Sequence, residues 1–322
     1  MEFGIVSLGN HAINRVIPAI VSTDNKITAI YSTDKQKGIK FGRELGAHYY
    51  DDLEKMMHES FQAVYISSPN YLHYKYTKIA LTHDKHVLLE KPMTLSVRES
   101  RELHDIANQK GLRLSLGFHL RFHPSLDYIK DVLSKGGLGE IRLVSGQWSH
   151  FSSRNLDDSW WGVDYMVGGG SIVGTGVHVM DTIYNIYHEL PRGLIAISYP
   201  KGKTIDEHFN IIFDYGESKT GIAISSRKIP DGNNDLLIQG ESGYIRVKNF
   251  FSTSVDSRIE TGEKTLDVPK VDMYREEIRD FVGKGIKIAN SYDGVVSTAM
   301  HLGAQFSSKE GRYITLKEIL GI

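Results

Sequence analysis

Phe3-Gly4-Ile5-Val6-Ser7-Leu8-Gly9-Asn10-His11-Ala12 opens the chain and decides its fold. The apolar run from Phe3 to Leu8 reads as a buried parallel strand, and a helical stretch follows it to about Ile20. The turn between them has the spacing of a dinucleotide fingerprint, Gly-x-Gly-x-x-Gly/Ala, with Ser7 in place of the first glycine. Gly9 is the middle glycine, which lets backbone approach a pyrophosphate. Ala12 is the small residue that lets helix pack on strand, and the N–H groups at the helix start meet the anion. Asn10 and His11 lie in the same turn and are candidate contacts with it. An ordinary strand-to-helix turn has the same look; position after the first strand of a βαβ unit favours the dinucleotide.

The rest of the first third keeps this rhythm. Strands are expected at Lys26–Tyr31, Ala63–Ser67, His86–Leu89 and Arg113–Gly117, and helices at Asp34–Leu45, near Leu72–Thr82 and at Ser96–Gln109. Such alternation implies right-handed crossovers and a doubly wound parallel sheet. After about Leu120 the pattern changes. A helix at Asp127–Leu133 precedes strand candidates at Ile141–Trp148, Gly193–Tyr199, Phe209–Tyr215, Thr220–Ser226, Leu236–Gln239 and Tyr244–Lys248, with helices at His178–Tyr187 and Met273–Gly283. The fold class is therefore α/β: a Rossmann domain over 1–120, then an α+β domain over 121–322 with an open, mostly antiparallel sheet. Ile222, Ile224, Ile211 and Phe213 supply sheet surface that one set of helices need not cover, so a homo-oligomer, dimer or tetramer, is expected.

The second strand ends at Tyr31-Ser32-Thr33-Asp34. NAD-specific sites usually place a carboxylate here for the ribose hydroxyls; Ser32 occupies the point instead and leaves room for a 2′-phosphate. Lys35 and Lys37 can pair with that phosphate, and Thr33 lies beside it. The alternative is that Asp34 is the ribose acid and the lysines form a solvated face. This reading puts NADP ahead of NAD.

Composition narrows the partners. Lys plus Arg number 38 and Asp plus Glu 39, so nothing in the balance attracts nucleic acid or acidic membranes. No apolar stretch reaches the roughly 20 residues of a membrane helix. There is no cysteine, which excludes disulfides and thiolate nucleophiles and suits a reducing cytoplasm. The first residues lack the pattern of a signal peptide, so a cytoplasmic protein is expected. Fourteen histidines show no defensible ligand spacing; His119 and His123 are i, i+4, but Pro124 argues against a regular helix there, and no metal site is expected.

Four further segments resemble one family. His86-Val87-Leu88-Leu89-Glu90-Lys91-Pro92 is similar to the hallmark of the Gfo/Idh/MocA oxidoreductases. Ser67-Ser68-Pro69-Asn70-Tyr71-Leu72-His73 resembles its loop after a strand, Gly117 to Pro124 its domain junction, and Gly168 to Asp181 its second catalytic segment. Tyr31-Ser32-Thr33 resembles the anhydrofructose reductase branch, whose preference is for NADP. The resemblance covers nearly the whole chain. It implies hydride transfer between a nicotinamide cofactor and a sugar, polyol or related carbonyl compound, at a site between the two domains. It also implies a cis Lys91–Pro92 bond. Lys91 is the expected donor to the substrate oxygen and His178 the expected proton acceptor. Ser67, Ser68, Asn70, His73, Glu90 and Lys91 join the candidate cofactor contacts. Arg121, His123, Trp160, Trp161, Tyr165 and Thr175 are candidate substrate contacts, although core packing is an equal reading of the tryptophans. Many relatives carry a carboxylate four residues before the histidine, where this chain has Gly174. That departure keeps two rivals open: a cofactor-binding sensor without turnover, and a redox-assisted glycosidase.

Overall fold

The computed structural model describes residues 1–153, 162–230, 233–252 and 256–321. They gather into two compact units: Met1–Phe122 with Asp272–Thr298, and His123–Val271 with Ala299–Ile322. A single crossing near Leu120 thus misplaces residues 272–298, which return to the first unit. The reason is apolar. Helix Met273–Val282 buries Ile278 and Phe281 in the cluster that holds Phe3, Ile17, Ile20 and Tyr65. Nothing local in the sequence says which of two cores takes such a face.

Six strands of the first unit are β1 (Glu2–Val6), β2 (Lys26–Tyr31), β3 (His48–Tyr50), β4 (Ala63–Ile66), β5 (His86–Leu89) and β6 (Leu114–Leu116). They run parallel in the order β6-β5-β4-β1-β2-β3, and Ala289–Asn290 adds an antiparallel edge beside β6. Ala63, Val64, Tyr65 and Ile66 are all fully buried, as expected of a strand covered on both faces. Strand order reverses at β1, flanked by β2 and β4. In doubly wound sheets that switch point, at the carboxyl ends of the strands, is where ligands bind. The three-residue β3 was not expected, since it is too short to show a period.

The second unit contains β7 (Ile141–Ser149), β8 (Gly193–Tyr199), β9 (His208–Gly216), β10 (Lys219–Ser226), β11 (Leu236–Gly240), β12 (Gly243–Lys248), β13 (Arg258–Thr261) and β14 (Thr265–Asp267). Their order is β14-β13-β12-β11-β7-β10-β9-β8, extended beyond β8 by Ile314–Thr315, and among the described residues only β7 and β10 pair in parallel. Leu194, Ala196, Phe209, Ile211 and Phe213 are buried on one face. Ser307 and Ser308 of helix Ser291–Glu310 accept hydrogen bonds from the backbone N–H groups of Ala196 and Ser198, which lays that helix along β8. On the opposite face Ile195, Ile197, Tyr199, Ile212 and Tyr244 are exposed. The sequence reading grouped Ile211 and Phe213 with uncovered surface. The pleat puts them on the covered face, and it is Ile212, paired with Ile195 and Ile222, that faces out.

Candidate functional site

The carboxyl edge of the first unit's sheet carries the fingerprint turn. Ser7 stands where a glycine is usual and takes the backbone that glycine favours, with φ 77°; its N–H bonds the Tyr31 carbonyl at 2.9 Å. Among the described residues, a Cβ on Gly9 would meet no atom nearer than the Ser67 carbonyl oxygen at 3.9 Å. The turn therefore leaves open space at its middle glycine. Ala12 is fully buried and begins a helical segment that is π-type over Ala12–Val16 and α over Ile17–Val21. These features fit a dinucleotide pyrophosphate at the helix start.

At the end of β2, Ser32 is buried and its hydroxyl accepts from the Asp34 N–H at 3.1 Å. Asp34 caps helix Lys35–Leu45, accepting from the Lys37 N–H at 3.0 Å. A capping carboxylate is held by its own helix, which weakens the reading of Asp34 as a ribose acid. Lys37 reaches back to the Leu8 carbonyl at 3.3 Å, so its ammonium stands at the fingerprint turn, whereas Thr33 and Lys35 are exposed.

Side chains from β4 and from the fingerprint turn meet at Glu90, the residue after β5. Glu90 accepts from the Tyr65 hydroxyl at 2.8 Å and from His11 Nε2 at 3.2 Å. Burial acts to raise its pKa, but His11, Lys91 and the Tyr65 bond outweigh burial and hold it at about 2. Gly117 permits this approach, for a Cβ there would lie 3.0 Å from Glu90 Oε1. Lys91 is half-buried. Burial lowers its pKa, and Glu90 opposes the change; the Lys91–Pro92 bond is cis. Tyr274 packs between two histidines: His119 stacks on it at 4.5 Å and His11 meets it edge-on at 5.4 Å. Burial, then His11, drives the His119 pKa down to about 3. Tyr65, Gly117 and Tyr274 were not among the expected site residues. Tyr65 looks like any strand aromatic, and Tyr274 lies far downstream.

Ser67, Ser68, Asn70 and His73 line the loop after β4, where the sequence places them. Ser67 donates to the Ser7 carbonyl at 3.3 Å, which ties that loop to the fingerprint turn. His73, however, is 1% exposed, and each ring nitrogen faces a backbone carbonyl. Arg121 is buried too, its guanidinium on Asp293 at 2.8 Å.

In the second unit the glycine run Gly168–Gly170 leads into a helical segment, Ile172–Gly176 then Val177–Tyr187. Asp206, 0% exposed, accepts from the N–H groups of Gly170 and Ile172 at 2.8 and 3.0 Å and from the Ser171 hydroxyl. Gly170 is required here, because a Cβ would lie 1.8 Å from the Asp206 carbonyl oxygen. The segment presents Thr175, whose hydroxyl bonds the Ser171 and Trp148 carbonyls, and His178, buried with its ring 5.2 Å from Trp148. Among the described residues, a Cβ on Gly174 would meet nothing within 4 Å. His123 is committed elsewhere. Its nitrogens face the Ser125 and Ser257 hydroxyls at 2.7 and 3.2 Å, its ring packs on Phe250, and burial lowers its pKa to about 4. Tyr165 is 67% exposed on the short helix Asp164–Val167. Trp160 and Trp161 lie outside the described residues.

A doubly wound sheet with this turn, joined to a second unit built on an open sheet, defines a nicotinamide dinucleotide-dependent oxidoreductase. Residues 1–118 match the family model described as oxidoreductase family, NAD-binding Rossmann fold, and residues 126–246 match the GFO/IDH/MocA C-terminal domain. The chain belongs to the Gfo/Idh/MocA oxidoreductase family. It is 26% identical to D-xylose 1-dehydrogenase (NADP(+)) 2 of Haloferax volcanii, over 87% of this chain and 88% of that one. It is 23% identical to 1,5-anhydro-D-fructose reductase of Ensifer adhaerens, over 97% of each. The aldose-aldose oxidoreductase of Caulobacter crescentus, crystallised with glycerol, shares the fold with a TM-score of 0.86 at 19% identity, over 98% of this chain and 99% of that one. Among the described residues no helix is long and apolar enough to cross a membrane.

Proposed function

We propose that this chain is an NADP(H)-dependent dehydrogenase or reductase of a sugar or polyol, with Lys91 and His178 as its catalytic residues. The observation that carries the reading is Lys91 itself: a half-buried ammonium at the carboxyl edge of the sheet, directly after the ionised Glu90. Ser7, Gly9, Asn10, His11 and Ala12 receive the pyrophosphate, and Ser32, with Thr33 and Lys37, receives the 2′-phosphate. The loop of Ser67, Ser68 and Asn70 borders the nicotinamide half. When bound, the nicotinamide gives or takes the hydride. Lys91 donates a hydrogen bond to the substrate oxygen and steadies the charge that grows on it. Glu90 keeps that ammonium charged against the cost of burial. His178 takes the hydroxyl proton in the oxidative direction. Thr175, Tyr165, Trp160 and Trp161 are proposed substrate contacts. The Rossmann unit is the cofactor domain, and the open-sheet unit is the substrate domain and the homo-oligomer surface, in a cytoplasmic protein.

The test is a panel of aldoses, inositols and other polyols, with their oxo forms, read by absorbance of the reduced nicotinamide. Turnover with at least one, abolished or strongly reduced in Lys91→Ala, supports the reading. A second reading has one observation in its favour: glycine at 174, where many relatives carry a carboxylate. Tight NADPH binding with no turnover on any panel member favours a sensor.

A further inference from the structure

Among the buried ionisable groups, His73 has a geometry that the cofactor role does not explain. It opens helix His73–Thr82, directly after the short helical turn Asn70–Leu72 in the connection that follows β4. Its Nε2 lies 2.9 Å from the Ser68 carbonyl oxygen and its Nδ1 2.7 Å from the Pro92 carbonyl oxygen. With both nitrogens occupied and the ring 1% exposed, no face of it remains for a ligand. We propose that His73 is a positioning residue, which ties the loop after β4 to the Lys91–Pro92 segment after β5 and so fixes where Lys91 points.

Both partners are carbonyl oxygens, and these only accept. A neutral imidazole carries one N–H, so it makes one of the two bonds and turns a lone pair toward the other oxygen. Only the imidazolium donates to both. The tie therefore has two states that differ by one proton: both loops held, or one held and one released. Among the described residues the charged groups that face the ring are Glu90, which favours the cation, and Lys91, which opposes it. Burial outweighs the carbonyls and Glu90 and sets the pKa below that of an ordinary histidine. The complete tie thus belongs to the acid side. Ser68 has no second anchor of its own, since its hydroxyl is buried and finds no hydrogen-bond partner among the described residues.

The assignment rests on the catalytic role of Lys91 only for its kinetic consequence, so the test has one readout with turnover and one without. His73→Gln keeps a single donor and His73→Leu keeps none. In the full-length protein, on the acid side where the wild-type ring is a cation and the tie complete, kcat is expected to fall about tenfold in the first and about a hundredfold in the second, because one hydrogen bond sets roughly one decade and misplacement of a reacting group costs more. NADPH affinity, read by nicotinamide fluorescence, is expected to fall less than kcat, since His73 reaches the cofactor only through the Ser68 loop it holds. The pH profile of kcat should contain an ionisation that both variants lack. The 15N signals of His73, assigned by their loss in His73→Gln, should pass from two protonated nitrogens to one at that same pH. Independently of turnover, the rate of reductive methylation of Lys91, read by peptide mass, should change by about threefold or more in His73→Leu if its placement is lost. An inactive wild type refutes the proposed function alone, and the methylation rate then decides the role of His73. Equal Lys91 methylation in wild type and both variants overturns the proposal, as does a His73→Leu enzyme with wild-type kcat and pH profile.

Discussion

Tyr65 stands on β4 and Glu90 directly follows the neighbouring strand β5, and the tyrosine hydroxyl donates to the carboxylate at 2.8 Å. This contact links a core aromatic to the residue that precedes Lys91. It also makes the carboxylate a stability determinant.

Glu90 is held at about 2 against an ordinary 4.5. Its folded pKa is depressed, so the stabilisation is full above the ordinary value and is lost as pH falls through 4.5 toward 2. The difference corresponds to stabilisation on the order of 3 kcal/mol. Glu90→Gln should lower stability at neutral pH and flatten its decline on acidification. Urea midpoints at pH 6 and pH 3 measure both. A variant that declines as steeply as wild type removes Glu90 from the account.

Lys91→Ala removes one donor aimed at developing charge, and turnover should fall by about 10²–10³. His178→Ala removes the proton acceptor, with a loss of roughly 10²–10⁴. Both proteins should still bind NADPH, because the Gly9 turn is untouched. Variants that are folded, cofactor-bound and as fast as wild type would falsify the assignment.

Gly174→Asp should fold normally, since its Cβ would meet none of the described residues within 4 Å. If the absent carboxylate tunes the catalytic pair, the variant's pH–rate profile shifts while activity persists. An unchanged profile detaches Gly174 from catalysis.

Ser32→Asp places a carboxylate where the reading puts a 2′-phosphate. Like-charge repulsion and a new ribose acceptor should turn preference from NADPH to NADH. Fluorescence titrations with both cofactors decide it, and a wild type that binds NADH at least as tightly as NADPH defeats the premise.

Ile195, Ile197 and Ile212 form an exposed apolar strip on paired strands. Ile212→Lys should leave the monomer fold intact and reduce the mass seen by light scattering. A wild type that is monomeric at all concentrations refutes the oligomer.

How much of this was legible beforehand depended on period and on distance along the chain. The strands at Lys26–Tyr31, His86–Leu89 and Gly193–Tyr199 show at the expected residues because each is an apolar or alternating run between turn signals. Helix Ser291–Glu310 was missed for a physical reason. It buries Ser297, Thr298, His301 and Ser307 alongside Val295, Val296 and Ala299, so polarity does not mark its inner side. Lys91 and His178 are legible as motif residues. The surroundings of Glu90 are not, because Tyr65 reaches it from β4 and Tyr274 packs on its partner His11 from the returning helix. His123 and Arg121 were expected at substrate from the motif around them, yet their side chains end on Ser257 and Asp293, partners that local sequence does not reveal.

The return of residues 272–298 to the first unit also sets a schedule for synthesis. Ile278, Phe281 and Ile288 complete a core whose other buried members, from Phe3 to Phe122, are made much earlier. The intervening stretch, 123 to 271, is 271 − 122 = 149 residues. At ribosomal speeds the amino-terminal segment therefore waits roughly 7–30 s for its missing pieces. A fragment ending at Phe122 should expose the Phe3–Ile20 surface and bind a hydrophobic dye, and addition of a 272–298 peptide should quench that signal; a fragment silent toward the dye removes the dependence. In the growing chain, then, the cofactor domain begins first and finishes late, with its apolar flank open to chaperones for the whole interval.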